Sequence, residues 1–295
     1  MPPEEILLAL DHLEAVALNA IASELQATFS KLIDQSEQLT KRGDIKGILE
    51  LNQGLAVSLQ RPIIDLWERG WSLGSTHAIT DMQTAVPEAL RLQSEGFDIG
   101  DDIKRAIANL FRLTTKTFRN VGAERAVQRR VLKLAGSFAK DTLDRAKADL
   151  LASIQPRQDT GAPISRQELL ARLQSGLNVS KVRARAIART ETSTSYNRGR
   201  LSSYKDSKLV THVQFMAIDD HRTSDICQSR AGMIIPIEDA DAIAANTPAL
   251  HVNCRSVLSP LMSVAPNYKR LTGDESRLYK NRKLVPLPKG WRTAS

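Results

Sequence analysis

The sequence predicts an α+β protein in which a long-helix region is followed by a small α+β domain and an extended basic C-terminal tail. Apolar residues recur every three or four positions through the first half, as in amphipathic helices, and alternate one by one after Asp206, as in strands. The chain has 295 residues, of which 42% are hydrophobic and 25% charged. This composition is ordinary for a globular protein, so it excludes a wholly disordered or fibrous chain.

The N-terminal region reads as a series of helices. The first has an apolar stripe and ends near Lys41-Arg42-Gly43; its members are Ile6, Leu10, Leu13, Ala17, Ile21, Leu25 and Leu32. A second helix covers residues 45 to 60, and a third places Gly70 and Gly74 beside two tryptophans, which favours a close helix contact over a ligand pocket. A turn is expected around Pro87 and residues 96–100. Asp101 and Asp102 then resemble the acidic first turn of one long helix running to about Ile154.

The domain boundaries follow from changes in this texture. We expect a helical domain over 1–155, a linker over 156–164 in the segment QPRQDTGAP, an α+β domain over 165–262 and the basic tail over 263–295. Ser165 and Glu168 have the spacing of a capping box for a short helix, and residues 178–180 open a second one. Strands are expected in HVQFMAID, GMIIPI and VNCRSVLSPL.

Charge and targeting signals narrow the setting. The net charge of +8 conceals an acidic front, because residues 1–100 carry 7 basic and 15 acidic side chains, whereas residues 101–200 carry 21 and 9. Such asymmetry predicts different partners for different segments. No uninterrupted run of about 20 apolar residues is present, and the acidic N-terminus is unlike a signal peptide, so we expect no membrane span and a cytoplasmic origin.

One helical face between residues 178 and 205 is basic. Lys181, Arg185 and Arg189 recur at spacing four and therefore share a side of the helix. A row of this kind is usually a solvated face, and contact with DNA or another anionic partner is the alternative.

Both cysteines and two histidines fall between Asp219 and Arg255. Cys227, His251 and Cys254, with His221 as a fourth ligand, have the residue types of a tetrahedral zinc site. Three alternatives stay open: buried free thiols, a disulfide, or a nucleophilic Cys–His pair at positions i and i+3.

Three segments of this chain resemble the successive motifs of the bacteriophage Mu F-like head morphogenesis family, over about residues 165–262. They are ARTETSTSYNRGR from Ala188, DDHRTSDIC from Asp219 and PALHVNCRSVLSPL from Pro248. The matching residues are Arg189, Thr190, Glu191, Asp220, Arg222, Thr223, Cys227, Gly232, His251, Asn253, Cys254 and Arg255. Ser224 and Ser256 stand where relatives often have further cysteines.

The resemblance implies a minor capsid protein of the virion. Such a protein contacts the portal and other capsid proteins near the portal, acts in head morphogenesis or DNA ejection, and has no established catalysis. It is present in the host cytoplasm during assembly. We further expect Arg189 and Glu191 to reach the Asp220/Arg222 loop and the strand entry at His251 and Arg255, forming a structural polar clasp. Packaged double-stranded DNA is a partner for the basic segments through its phosphates.

A metal-dependent nuclease is the rival from another functional class. It would use His221, Asp220 and Arg255, with His251 and Asn253 nearby, to activate a water beside a phosphate. A basic host DNA-binding protein is a third reading, but no helix-turn-helix or finger pattern supports it.

Overall fold

The structure is a computed structural model that describes residues 3–42, 47, 54–94, 100–110, 112, 121–154, 166–263, 265, 268–289 and 291. Long helices come first and a small sheet follows, which confirms the predicted α+β class. The helices are α1 (Pro3–Arg42), α2 (Leu55–Ser58), α3 (Gln60–Ser94), α4 (Gly100–Leu110), α5 (Val121–Ile154), α6 (Arg166–Ser207), α7 (Asp225–Gln228), α8 (Ala240–Asn246) and α9 (Tyr268–Thr272). The strands are β1 (Val210–Met216), β2 (Ile234–Pro236) and β3 (Val257–Met262).

The chain forms two compact units. The first comprises Met1–Leu13, Leu66–Arg119 and Arg189–Ser295, and the second comprises Glu14–Asp65 and Asn120–Ala188. Helices α1, α3 and α6 therefore each contribute residues to both units. The predicted linker over 156–164 lies outside the described residues, and the predicted boundaries on either side of it stay a prediction.

Helix α1 follows its apolar stripe closely. All seven stripe residues predicted from the sequence are buried, and the helix ends at Arg42 as expected. The segment Glu4–Gln35 is also long and apolar enough to cross a membrane by length and composition, although 33% of its most apolar window is buried inside the protein. The sequence did not predict such a segment because charged residues, among them Asp11 and Glu14, interrupt its apolar run. A core helix of a soluble protein meets the same criterion.

Three predictions about helix boundaries are wrong. Pro87 lies inside α3 and not in a turn, because the buried side chains of Met82 and Val86 hold the helix in the core despite the hydrogen bond that proline removes. The helix expected from Asp101 to Ile154 is instead two helices, α4 and α5, with Arg112 in a turn.

The third concerns α6, which is one helix where two were expected. Ser180 was read as part of a helix start, but its hydroxyl donates to the carbonyl of Gly176 at 2.9 Å, four residues earlier. A serine that bonds back in this way is accommodated within a helix and need not cap one.

The three expected strands form one antiparallel sheet in the order β2-β1-β3. Phe215 pairs with Leu258 across β1 and β3, and Val213 pairs with Ile235 across β1 and β2. These side chains point into the main core of the first unit, which also contains both cysteines. Gly232 precedes β2 with φ +72, a backbone conformation that L side chains rarely adopt.

The predicted extended tail is not confirmed. Beyond the sheet, α9 and two short 3₁₀ turns (Glu275–Arg277 and Tyr279–Asn281) follow. Leu271 is buried against Ile234 and Leu261, while Leu284, Leu287 and Trp291 pack against the main core. The basic composition of this stretch predicted a tail, but the apolar residues within it pack against buried clusters.

Glycines bring α3 and α6 into contact within the first unit. A methyl group added at Gly74 would lie 2.0 Å from the Tyr196 carbonyl oxygen, and one at Gly199 would lie 2.1 Å from the Trp71 carbonyl oxygen. Neither position has space for a Cβ atom. The close helix contact predicted from Gly70 and Gly74 is thus confirmed.

Candidate metal centre

The loop after β1 is organised by Asp220. Its Oδ1 accepts hydrogen bonds from the backbone N–H of Arg222 at 3.0 Å and from the Thr223 hydroxyl at 3.2 Å. The Thr223 hydroxyl also contacts the Ile218 carbonyl. An aspartate that bonds backbone and hydroxyl groups two and three residues ahead fixes a tight turn.

Asp220 also joins this loop to the segment that enters β3. Arg255 donates from Nη1 to Oδ2 at 2.9 Å and from Nη2 to Oδ1 at 2.5 Å, a bidentate pair. Arg222 lies 3.6 Å from the same carboxylate. The hydrogen bonds from Arg255 hold the pKa of Asp220 well below its usual range, so this carboxylate is ionised at neutral pH.

Cys227, His251 and Cys254 form a compact group beside this ion pair. Their ligand atoms all lie within 4.8 Å of one another, so the group could hold a metal ion. His251 Nε2 lies 3.0 Å from Cys227 Sγ, and the two sulfurs are 3.7 Å apart. Ser224 Oγ lies 2.8 Å from the same histidine nitrogen and caps α7 by accepting from the Cys227 N–H. Two cysteines, one histidine and one hydroxyl therefore converge.

The histidine ring is oriented by the backbone. His251 Nδ1 lies 2.8 Å from the Val252 carbonyl oxygen. Because a carbonyl only accepts, Nδ1 carries the proton and Nε2 faces the two sulfurs with either a proton or a lone pair. A ring held through its second nitrogen in this way is typical of metal-binding histidines.

Hydrogen bonding shifts the pKa values of the two thiols in opposite directions. Hydrogen bonds from Cys254 and His251 lower the pKa of Cys227 to about 4. The same contact with Cys227, together with burial, raises the pKa of Cys254, and the bond to Cys227 raises the pKa of His251. Without an ion, Cys227 is thus a thiolate next to the His251 ring, and thiolate is the form in which cysteine binds metals.

The space at the group is small. A cavity of about 10 Å³ is lined by Ser224, Cys227 and His251, with Arg222, Asn253 and Arg255 among its other walls. This volume is close to that of a single water or ion. Both cysteines are almost fully buried and neither is in a disulfide.

The structure brings together most of the residues predicted for this site, but not His221. That side chain is exposed and does not belong to the group of metal-ligand atoms, so its assignment as the fourth ligand is wrong. His221 directly follows Asp220 in the turn. Ser224, the N-cap residue of α7, is the side chain from this loop that contacts His251.

The structure also bears on the nucleophilic pair and the disulfide that the sequence left open for the cysteines. His251 contacts the thiol of Cys227, 24 residues away, with the geometry that a general base would need. The sequence had suggested a pair formed by the neighbouring residues His251 and Cys254. A nucleophile–base pair at this depth also needs room for a substrate, and the cavity gives little. The separation of 3.7 Å between the sulfurs is well above the length of a disulfide bond.

The polar contacts of the Arg-Thr-Glu helix differ from the predicted clasp. Glu191 accepts a hydrogen bond from Trp67 Nε1 at 2.9 Å, which joins α6 to α3. The strand entry is reached through Thr190, whose hydroxyl accepts from the Asn253 N–H at 3.2 Å. Of the expected members, Asp220, Arg222 and Arg255 do lie together. Arg189 is half-buried on α6.

The basic face predicted on α6 lies partly at the surface. Arg185 is exposed and Lys181 is half-buried, in a stretch where Val179 and Val182 are also exposed.

Sequence reasoning missed a buried set of polar side chains around Arg200, which we call the Arg200 network. Arg200 donates to the Leu258 carbonyl at 2.9 Å, to the Tyr196 hydroxyl at 2.9 Å and to Asp81 at 2.6 Å. His77 lies 2.9 Å from the same hydroxyl.

Asn197 completes the contact between α6 and the sheet. It accepts from the Leu258 N–H at 2.9 Å and donates to the Ser256 carbonyl at 3.2 Å. The outer edge of β3 is therefore bonded to side chains of α6 and not open to another strand. All these α6 residues lie in the ARTETSTSYNRGR motif, which was a signal for their importance but not for their partners.

Comparison with known proteins gives one match. The family model described as Phage Mu protein F like protein matches residues 161–259, or 99 of the 295 residues. This range contains the metal-ligand group, the Asp220–Arg255 pair and all of α6. No curated protein and no solved structure matches the chain.

Proposed function

We propose that this chain, whose residues 161–259 match the family model described as Phage Mu protein F like protein, is a structural protein of a phage head. In this role it is a minor capsid protein of the virion that takes part in head morphogenesis. It is made in the host cytoplasm and assembles with other capsid proteins.

The contacts made by the family motifs carry this proposal. Asp220 is bonded to Arg255, Thr190 to Asn253, and Asn197 and Arg200 to the edge of β3. These motif residues therefore fasten elements of the α+β region to one another. The cavity beside the motif cysteine Cys227 has a volume of about 10 Å³, which suits an ion or a water and not a substrate.

The test is the composition of the particle. Purified virions of the phage that encodes this chain, analysed by quantitative mass spectrometry, are expected to contain it at a fixed number of copies per major capsid protein. A phage with an early stop codon in this reading frame should give defective heads. Particles that lack the chain, with normal heads from the stop-codon phage, would refute the proposal.

Association with the portal and a role in genome delivery are the finer parts of the proposal. The acidic front of the chain, with 15 acidic and 7 basic side chains over residues 1–100, suits contact with a basic surface on another protein and disfavours contact with DNA. Chemical crosslinking of purified virions is expected to join lysines of this chain to the portal. Crosslinks found exclusively to the major capsid protein would refute portal association.

DNA is the proposed partner of the basic segments, including the face formed by Lys181, Arg185 and Arg189. Such binding neutralises phosphates without reading sequence, so it should weaken steeply with added salt. Fluorescence anisotropy with labelled duplex DNA at 50 and 200 mM salt measures this, with Arg185→Ala as the variant. Binding that is unchanged by salt would remove DNA from the partners.

Zinc is the metal that we propose for Cys227, His251 and Cys254. Two thiolates in tetrahedral zinc coordination lie roughly 3.8 Å apart, given Zn–S bonds of about 2.3 Å, and the two sulfurs are 3.7 Å apart here. The sulfur–nitrogen distance of 3.0 Å would have to open by about 0.5 Å to admit the ion. Zinc bound there supplies structural crosslinking between α7 and the entry to β3.

A metal-dependent nuclease is the second candidate function. The contacts of Asp220 and the position of His221 disfavour it. Both oxygens of Asp220 are engaged by Arg255, and His221 is exposed on the turn without belonging to the metal-ligand group. A plasmid-nicking assay with Mg²⁺ or Zn²⁺ separates the two functions. We expect no nicking; nicking that His251→Ala abolishes would favour the nuclease.

A further inference from the structure

The first unit has a second concave site, separate from the metal-ligand group. It is a groove of about 610 Å³, a size typical of ligand sites. Met216, Val257 and Pro260 of the sheet lie along it, and Ile6 and Leu7 at the start of α1 lie on another side. All of its lining residues belong to the first unit.

The groove is apolar where a solvent-facing sheet surface is normally polar. Along β1, Phe215 is buried in the core while its neighbour Met216 is exposed by 36%. Along β3, Leu258 is buried while Val257 is half-buried. Successive residues of a strand point to opposite faces, so Met216 and Val257 lie on the face opposite Phe215 and Leu258. There Val257 packs against the cluster of Ile6, Leu10 and Tyr196, while Met216 stays partly exposed. This surface resembles a binding surface more than a solvated one.

The charges around the groove leave an excess of negative groups. Its two arginines are already paired, Arg200 with Asp81 and Arg255 with Asp220. Its remaining charged residues are Glu4 and Asp219, both exposed. Neither has an ion-pair partner among the residues that the structure describes.

From these features we infer that the groove binds a peptide segment of another protein in which apolar side chains are flanked by lysine or arginine. The apolar lining receives the apolar side chains, and Glu4 and Asp219 attract the basic ones. DNA phosphates and anionic lipid head groups are repelled by the same two carboxylates. The source of the segment, a neighbouring protein of the phage head, rests on the proposed function; the chemistry of the groove does not.

The methionines allow a direct test on the full chain. Met216 and Met262 line the groove, whereas Met82 and Met233 are fully buried and do not. Protein labelled with ¹³C on the methionine methyl groups is titrated with the peptide acetyl-Lys-Leu-Val-Leu-Lys-amide and with its matched control, acetyl-Glu-Leu-Val-Leu-Glu-amide. We expect the lysine peptide to shift the Met216 and Met262 resonances and leave Met82 and Met233 in place.

Charge is tested in the same titration. The double variant Glu4→Gln/Asp219→Asn should bind the lysine peptide about tenfold more weakly, since each exposed pair contributes modestly. Glu5→Gln, an exposed neighbour outside the groove lining, is the matched control and should bind like the wild type. Unchanged Met82 and Met233 resonances show that the variants remain folded.

Three results would overturn the inference. The first is an unshifted Met216 with the lysine peptide, and the second is equal affinity for the lysine and glutamate peptides. The third is a Met216 shift that follows protein concentration without peptide, because a second copy of the chain would then fill the groove. Peptide binding does not depend on the virion, so a chain absent from virions would refute the proposed function and leave this inference standing.

Discussion

The Arg200 network and the metal-ligand group of Cys227, His251 and Cys254 are both buried and polar, and both lie in the first unit. They differ in how their polar atoms are satisfied. Arg200 donates to a carboxylate, a hydroxyl and a backbone carbonyl at 2.6 to 2.9 Å. In the metal-ligand group, by contrast, a thiolate, a thiol and an imidazole contact mainly one another.

This difference indicates two kinds of structural role. A buried charge with a full set of partners fixes one arrangement of α3, α6 and β3, because any other arrangement would leave charges unpaired. A cluster of thiols and imidazole gains most when an ion is shared among its members. The first arrangement is complete within the chain, whereas the second could hold a metal ion.

The largest expected effect is from removing the centre of the Arg200 network. Arg200→Ala removes one hydrogen-bond donor from each of the Asp81 carboxylate, the Tyr196 hydroxyl and the Leu258 carbonyl. The free energy of unfolding should fall by about 3–5 kcal/mol. Urea denaturation measures it, with exposed Arg185→Ala as the control expected to change little. A loss for Arg200→Ala no larger than that of the control would show that the network is not a structural centre.

A smaller loss is expected at the helix contact beside that network. At Gly74 a Cβ atom would meet the Tyr196 carbonyl at 2.0 Å, whereas at Gly136, also within a helix, nothing lies within 4 Å. Gly74→Ala should therefore destabilise the protein by about 1–3 kcal/mol. Gly136→Ala should stabilise it by up to about 1 kcal/mol. Thermal unfolding of the two variants checks the opposite signs; the same sign for both would contradict the close contact.

The hydrogen-bond partner of Glu191 distinguishes the observed contact with Trp67 from the predicted clasp with Arg255. In a double-mutant cycle, Glu191→Gln and Trp67→Phe should couple by about 1–2 kcal/mol, because Trp67→Phe removes the donor of one buried hydrogen bond and Glu191→Gln weakens its acceptor. Glu191→Gln and Arg255→Gln should couple by less than about 0.5 kcal/mol. Strong coupling in the second cycle, with none in the first, would restore the clasp.

The smallest effect expected is a pH dependence at the edge of the Arg200 network. Burial and the charge of Arg200 lower the pKa of His77. The unfolded chain therefore takes up this proton more readily, and stability falls as the pH drops below the unfolded value of about 6.5. In His77→Gln this part of the slope between pH 7 and 5 should disappear. An identical slope in wild type and variant would remove His77 as its source.

Particular residues show how far the sequence could predict this structure. The stripe from Ile6 to Leu32 and the alternation around Phe215 follow directly from helical and strand periods, so α1 and the sheet were predictable. The joining of Cys227 to His251 across 24 residues was expected because few other thiols and imidazoles are present. Asp220 and Arg255 were expected in one polar clasp because both lie in the motifs that the chain shares with the family.

Other features depend on packing that no local pattern encodes. The contact of Arg200 with Asp81 spans 119 residues and requires α3 and α6 to meet face to face. Ser224, and not the predicted His221, contacts the metal-ligand group through His251 Nε2. The C-terminal stretch was read as a tail because its basic residues obscured Leu271, Leu284 and Leu287.

The metal content of the full chain tests the central contrast most directly. Protein purified without chelator and supplied with Zn²⁺ is analysed by elemental mass spectrometry and zinc-edge X-ray absorption, beside Cys254→Ala and His221→Ala. We expect about one zinc per chain with two sulfur ligands at about 2.3 Å. This zinc should be lost in Cys254→Ala and retained in His221→Ala. Wild-type protein that binds no zinc, or zinc that survives Cys254→Ala, would contradict this expectation.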